Sequence, residues 1–131
     1  METPASPPRK GQRIAGWVIS GILAAFFFLG ASMALRKAPE AVEPTTHKFG
    51  YPEELMVPLG TVELVLAILF LIPRTSILGG LFLTAYLGGA VATHVRVHDN
   101  FAFPIVFGVL VWIALYLREP RVRTLLPLTS A

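Results

Sequence analysis

The sequence predicts an all-α fold: a transmembrane four-helix bundle with both termini in the cytoplasm. Three observations carry this reading. Hydrophobic residues make up 54% of the 131-residue chain and charged residues only 15%, too little charge for the large relative surface of a small soluble domain. The apolar residues lie in four long blocks and not in periodic stripes. Each block has about the 17–25 residues that a helix needs to cross roughly 30 Å of hydrocarbon.

The first span is predicted over 14–35, after a short cytoplasmic tail, 1–13. Arg9, Lys10 and Arg13 ahead of it, and Ala31-Ser32-Met33-Ala34 near its end, loosely suggest a secretory signal. The apolar stretch is longer than the roughly 7–15 residues of a signal core, so it reads as an uncleaved span. The second span, 56–72, is broken from the third, 76–95, by Pro73-Arg74-Thr75. About five residues separate the third span from the fourth, 101–117. Such short links make neighbouring spans antiparallel. Helix is forced in every span because a segment in lipid must satisfy its own backbone hydrogen bonds. The transmembrane domain is thus 14–118, followed by a cytoplasmic tail, 119–131.

Orientation follows from the cations. Arg9, Lys10, Arg13, Arg74, Arg118, Arg121 and Arg123 fall on one side; Arg36, Lys37, Lys48 and Arg96 fall on the other. The richer side is cytoplasmic by the positive-inside rule, and Trp17, Trp112 and Tyr116 near that face suit an interfacial belt. The outer loop, 36–55, is long and holds Pro39, Pro44 and Pro52. It is expected to lie across the outer face, with its end stiffened at Phe49-Gly50-Tyr51-Pro52 because proline restricts both itself and the residue before it.

Several chemistries are excluded. The absence of cysteine removes disulfides, CxxC redox centres, thiolate metal sites and cysteine nucleophiles. No basic tract suggests nucleic acid. No phosphate-binding glycine loop, GxSxG elbow or HExxH motif is present. His94 and His98 share the four-residue spacing of a helix face, but a metal needs further ligands and none is assigned. The glycines of the third span (Gly79, Gly80, Gly88 and Gly89) read as tight helix packing.

Glu63 is the residue that lipid should not tolerate. It lies seven positions into the second span, and intramembrane ionisable groups usually face the bundle interior and pair. Gly60, Glu63 and Ala67 share a small-residue face suited to close packing. Antiparallel geometry brings Thr93 and His94 near its depth, with Ser32 from the first span in range and Arg96 at the rim. The candidate site is therefore Ser32, Glu63, Thr93, His94 and Arg96, with Glu63 and His94 coupled. It serves either as a site for a polar ligand, a quinone head group or a proton, or as an interhelical contact that fixes packing.

The stretch Phe49 to Arg96 resembles the DoxX-like family of small four-span membrane proteins. The residues that carry the resemblance are Phe49-Gly50-Tyr51-Pro52, Gly60-Thr61-Val62-Glu63-Leu64, Ile72-Pro73-Arg74 and Gly89-Ala90-Val91-Ala92-Thr93-His94. The resemblance implies a four-helix bundle in the bacterial inner membrane and, for Glu63 and His94, paired positions. The wider family is named for a membrane subunit linked to thiosulfate oxidation that passes electrons to quinone, an activity that fold similarity alone does not transfer. Three functions follow as expectations: a non-enzymatic accessory or small-ligand-binding bundle, a redox subunit holding quinone near Glu63 and His94, and a small transporter. The implied partners are the lipid bilayer and a membrane redox or other protein. No cofactor is evident beyond quinone.

Overall fold

The computed structural model describes residues 7–126, and these are helical, with no strand among them. Helix α1 covers Lys10–Leu35, α2 Pro39–Glu43, α3 Met56–Leu71, α4 Ser76–Arg96, α5 Ala102–Arg118 and α6 Pro120–Leu125. A π-helical turn, Pro44–Lys48, continues α2, and a 3-10 turn, Glu53–Leu55, leads into α3. The four long helices follow the four apolar blocks closely. Three segments are long and apolar enough to cross a membrane: Lys10–Leu35, Glu53–Leu71 and Ser76–Arg96. The fourth, Ala102–Arg118, has 17 residues and spans about 25 Å, just under the hydrocarbon thickness. Length, composition and all-helical architecture together make this a membrane protein.

The long helices pack in a closed ring, α1 against α3, α3 against α4, α4 against α5 and α5 against α1. Their outward faces are apolar: Ile22, Leu29, Leu81 and Val109 are each more than half exposed. The core runs along the ring's axis through Leu23, Phe27, Ala67, Phe70, Leu83, Val111 and Leu115. Close approach is set by small residues. A Cβ on Gly60 would lie 2.9 Å from the Ala34 Cβ and 3.1 Å from the Ala31 carbonyl oxygen of α1. One on Gly79 would collide with the backbone of α3 at Leu69 and Phe70. With no side chain at these crossings, backbones meet directly, the main source of attraction between helices in lipid.

Gly88 and Gly89 depart from the packing role expected for them. A Cβ on either would meet nothing within 4 Å; Gly88 lines a groove beside α5 and Gly89 a pocket beneath the loop. The chain beyond α5 turns at Glu119, and α6 buries Val122 against the core. Arg118 is also drawn inside at 4% exposure. Its guanidinium is stacked on Trp17 and Phe70 and donates to the Phe70 carbonyl. Trp17 therefore clasps a buried cation.

The turns that end α1 and α4 shape the loop end. Both helices close in Schellman motifs, with Lys37 and His98 at positive φ (49° and 54°). The amide of Ala38 returns to the Met33 carbonyl and that of Asp99 to the His94 carbonyl, the six-to-one bond of this motif. The second turn folds Asp99 back over the last turn of α4.

Candidate functional site

Helix α4 supplies the floor of the site and the 36–55 loop its lid. Gly50 takes φ 76°, a left-handed conformation glycine adopts without steric cost, and this reverses the chain between Phe49 and Tyr51. Arg96 donates to the Phe49 carbonyl and fixes the reversal to the end of α4. Tyr51 then reaches inward, and its hydroxyl lies 2.7 Å from the Thr93 hydroxyl. Thr93 donates its own proton to the Gly89 carbonyl at 2.9 Å, so in this pair Tyr51 donates and Thr93 accepts.

His94 sits beside them. Its Nδ1 is 2.9 Å from Asp99 Oδ2, and the Lys48 ammonium reaches the same oxygen at 2.8 Å. The hydrogen bond from Lys48, with smaller help from the Asn100 backbone amide, holds the Asp99 carboxyl down at about 2. Asp99 is therefore ionised at neutral pH and can only accept, which places a proton on His94 Nδ1 and leaves Nε2 with a lone pair whenever the ring is neutral. Phe49 meets the imidazole edge-on at 4.8 Å between centroids. The ring is thus fixed in orientation and tautomer by its neighbours.

Between lid and floor lies a pocket of about 350 Å³, within the usual size range for small-molecule sites. Phe49, Tyr51, Tyr86, Thr93 and His94 form its aromatic and polar wall, and Leu59, Ala85 and Ala90 its apolar wall. Tyr86 links it to the interior. Its hydroxyl donates to Glu63 Oε2 at 3.3 Å, and the other carboxylate oxygen occupies the space above Gly30, where a Cβ would come within 2.7 Å of it. Glu63 is half-buried, held between α1 and α4.

Of the residues singled out in the sequence, the structure brings Thr93, His94 and Arg96 together under the loop. Glu63 is joined to that group through Tyr86 and the pocket, not by contact with His94. Ser32 stands apart: it is exposed and lines a shallow hollow with Phe28, Leu35, Arg36 and Leu64 on the other side of α3. Tyr86, Tyr51, Asp99 and Lys48 were not singled out as site residues. For Tyr86 the missing signal was depth. The Glu53–Leu55 turn adds about 6 Å ahead of the seven α-helical residues that lead to Glu63, placing the carboxylate about 16 Å in. Counting ten residues back from Arg96 puts Tyr86 about 15 Å in, whereas Thr93 and His94 lie only about 3–5 Å from that end.

No curated protein and no solved structure matches the chain. The DoxX-like family model does, over residues 18–114, and this match takes in α3 and α4 whole, most of α1 and α5, the lid and both partners of the Glu63–Tyr86 contact. With nearly three-quarters of its length covered by that match, this chain belongs to the DoxX-like family.

Proposed function

We propose that the protein is a multi-pass, transmembrane four-helix bundle of the bacterial inner membrane, with both termini cytoplasmic, that binds a small lipid-soluble ligand in the pocket under the 36–55 loop and is not an enzyme on its own. The observation that carries this reading is the pocket's hydrogen-bonding character. Tyr51 and Tyr86 have each committed their hydroxyl proton, to Thr93 and to Glu63. His94 has committed Nδ1 to Asp99. What remains for a ligand is lone pairs on two phenol oxygens and on Nε2, all set against aromatic and aliphatic surface. Such a wall favours a flat, mostly apolar molecule that donates hydrogen bonds, such as a ring carrying hydroxyl groups.

A second reading, a redox subunit that holds quinone near Glu63 and His94, draws support from the protonatable pairs Glu63–Tyr86 and His94–Asp99 that flank one ring-sized space. A protein partner in the membrane would then exchange the electrons. Both readings are tested by thermal unfolding in detergent with a short-chain quinol, the matching quinone and the quinol's dimethyl ether. A ligand that binds only the folded state raises stability by RT ln(1 + [L]/Kd). Stabilisation by the quinol above its ether is expected, reduced by Tyr86→Phe or His94→Ala. Stabilisation by quinone equal to that by quinol favours the redox subunit, and stabilisation by none of the three sinks both. The orientation is tested separately: reporter fusions at the C-terminus and within the loop must report opposite sides.

A further inference from the structure

A second cavity lies on the opposite side of α4, facing outward between α4 and α5. It is a groove of about 620 Å³, and it exists because side chains are missing: a Cβ on Gly88 would touch nothing within 4 Å, and one on Gly108 would just reach Leu87 at 3.9 Å. Trp112 forms part of the wall, and its indole N–H is spent on the Thr84 hydroxyl at 2.7 Å. The groove therefore offers contact surface and very little hydrogen bonding. From Pro104 to Leu117 it follows α5 for about 20 Å, somewhat more than the roughly 15 Å depth of one hydrocarbon leaflet.

One end of the groove is charged. Helix α6 and the residue that caps it close it with Val122 and Leu126, and between them Arg123 lays its guanidinium over the ring of Tyr116, itself a lining residue, at 5.1 Å. Arg123 donates to the Tyr116 carbonyl and to Gln12 Oε1, both uncharged, and no carboxylate pairs with it among the described residues. Glu119, the acid nearest in sequence, is paired with Arg121. Helix α1 begins at the same end with Lys10 and Arg13. An apolar slot about one leaflet deep, opening at an arginine that no carboxylate among the described residues neutralises, matches an anionic lipid.

We propose that the groove seats an acyl chain of an anionic phospholipid whose phosphate lies against Arg123. A zwitterionic lipid carries the same phosphate, but its ammonium offsets the charge, so selectivity by headgroup charge is the signature. One basic residue near a membrane surface is worth about five-fold in affinity for an anionic lipid.

Trp112 provides the readout. Trp17→Phe leaves it as the one tryptophan of the chain, and delipidated protein in detergent is titrated with phosphatidylglycerol bearing brominated acyl chains, which quench indole fluorescence on contact. Saturable quenching at one lipid per chain is expected, about five-fold weaker with phosphatidylcholine of the same chains. Arg123→Gln should cut that preference to less than half and keep the quenching, whereas an unchanged preference overturns the assignment to Arg123. Gly88→Leu, which fills the groove from a position with open space, should abolish saturable quenching while circular dichroism stays unchanged; Gly108→Val serves if the leucine variant does not fold. Equal affinity for the two lipids in the parent overturns the proposal, as does quenching that survives a filled groove. A dimer that Gly88→Leu dissociates, with no lipid retained by the parent, overturns it in favour of a second copy of this chain as the occupant.

Discussion

Replacing Tyr86 by Phe deletes one oxygen and tests the contact that defines the interior end of the site. The hydroxyl donates to Glu63 across 3.3 Å, longer than the 2.5–3.0 Å usual for such bonds. The interaction should therefore fall in the ordinary range for interhelical polar contacts in membranes, about 0.6 kcal/mol on average and about 1.7 at most. The single variant costs more than the bond itself, since it leaves a half-buried carboxylate without its partner. Tyr86→Phe and Glu63→Leu should each destabilise, and the double variant should cost less than their sum by about 0.6–1 kcal/mol. The parallel cycle with Glu63→Leu and His94→Leu should be additive to within about 0.5 kcal/mol, as for residues that share no partner. Reversible unfolding in mixed micelles, read by circular dichroism, resolves differences of this size. Additivity of Glu63 with Tyr86, together with coupling of Glu63 to His94, would refute the arrangement and restore the Glu63–His94 coupling expected from sequence.

Three further outcomes follow from the packing and the lid. Gly60→Ala places a methyl 2.9 Å from the Ala34 Cβ and should lower stability by about 1–3 kcal/mol as α1 and α3 are forced apart; a loss below that range in the same unfolding assay would show that the crossing yields. Arg118→Lys keeps the charge and loses the planar face between Trp17 and Phe70, so a loss of up to about 2 kcal/mol is expected, and an unchanged midpoint would mean the stacking contributes nothing. Because the Asp99 carboxyl is held down at about 2, its hold on His94 and Lys48 is complete above the ordinary carboxyl range near 4 and is lost as pH falls from there towards 2. Protection factors of the amides at residues 45–51, corrected for the intrinsic pH dependence of exchange, should fall over that window in the parent, and Asp99→Asn should show the lower protection at neutral pH; lid protection that is flat across the window in the parent would disconnect Asp99 from the loop.

The four long helices could be read from the sequence because lipid imposes a length and forbids charge, two constraints visible residue by residue. Their ends were also legible, since Pro73 and the polar run 96–100 interrupt apolar blocks that nothing else divides. Partners inside the ring were less so. Pairing Glu63 with His94 set a residue about 10 Å below Met56 against one only about 3 Å from the end of α4, and the Glu53–Leu55 turn adds about 6 Å more to the depth of Glu63, which brings it level with Tyr86 at about 15 Å. Ser32 could not be excluded by depth, because which face of α1 it occupies depends on how the helices rotate against one another. Glycines posed a different ambiguity. Gly60 and Gly79 make room for a neighbouring helix, whereas Gly88 and Gly89 open space for something else, and the two uses leave the same mark in a sequence.

The core beneath Glu63 gives the site a direction. The turns that follow it towards the other end carry Leu66, Ala67 and Phe70, opposed by Leu23, Phe27 and Leu83, a plug without polar side chains. The Tyr51–Thr93, Tyr86–Glu63 and His94–Asp99 pairs lie on the loop side of that plug, and Ser20, Ser76 and Arg118 are buried beyond it. In a bilayer the arrangement is a well and not a channel: a molecule entering beneath the loop meets close-packed apolar side chains beyond Glu63.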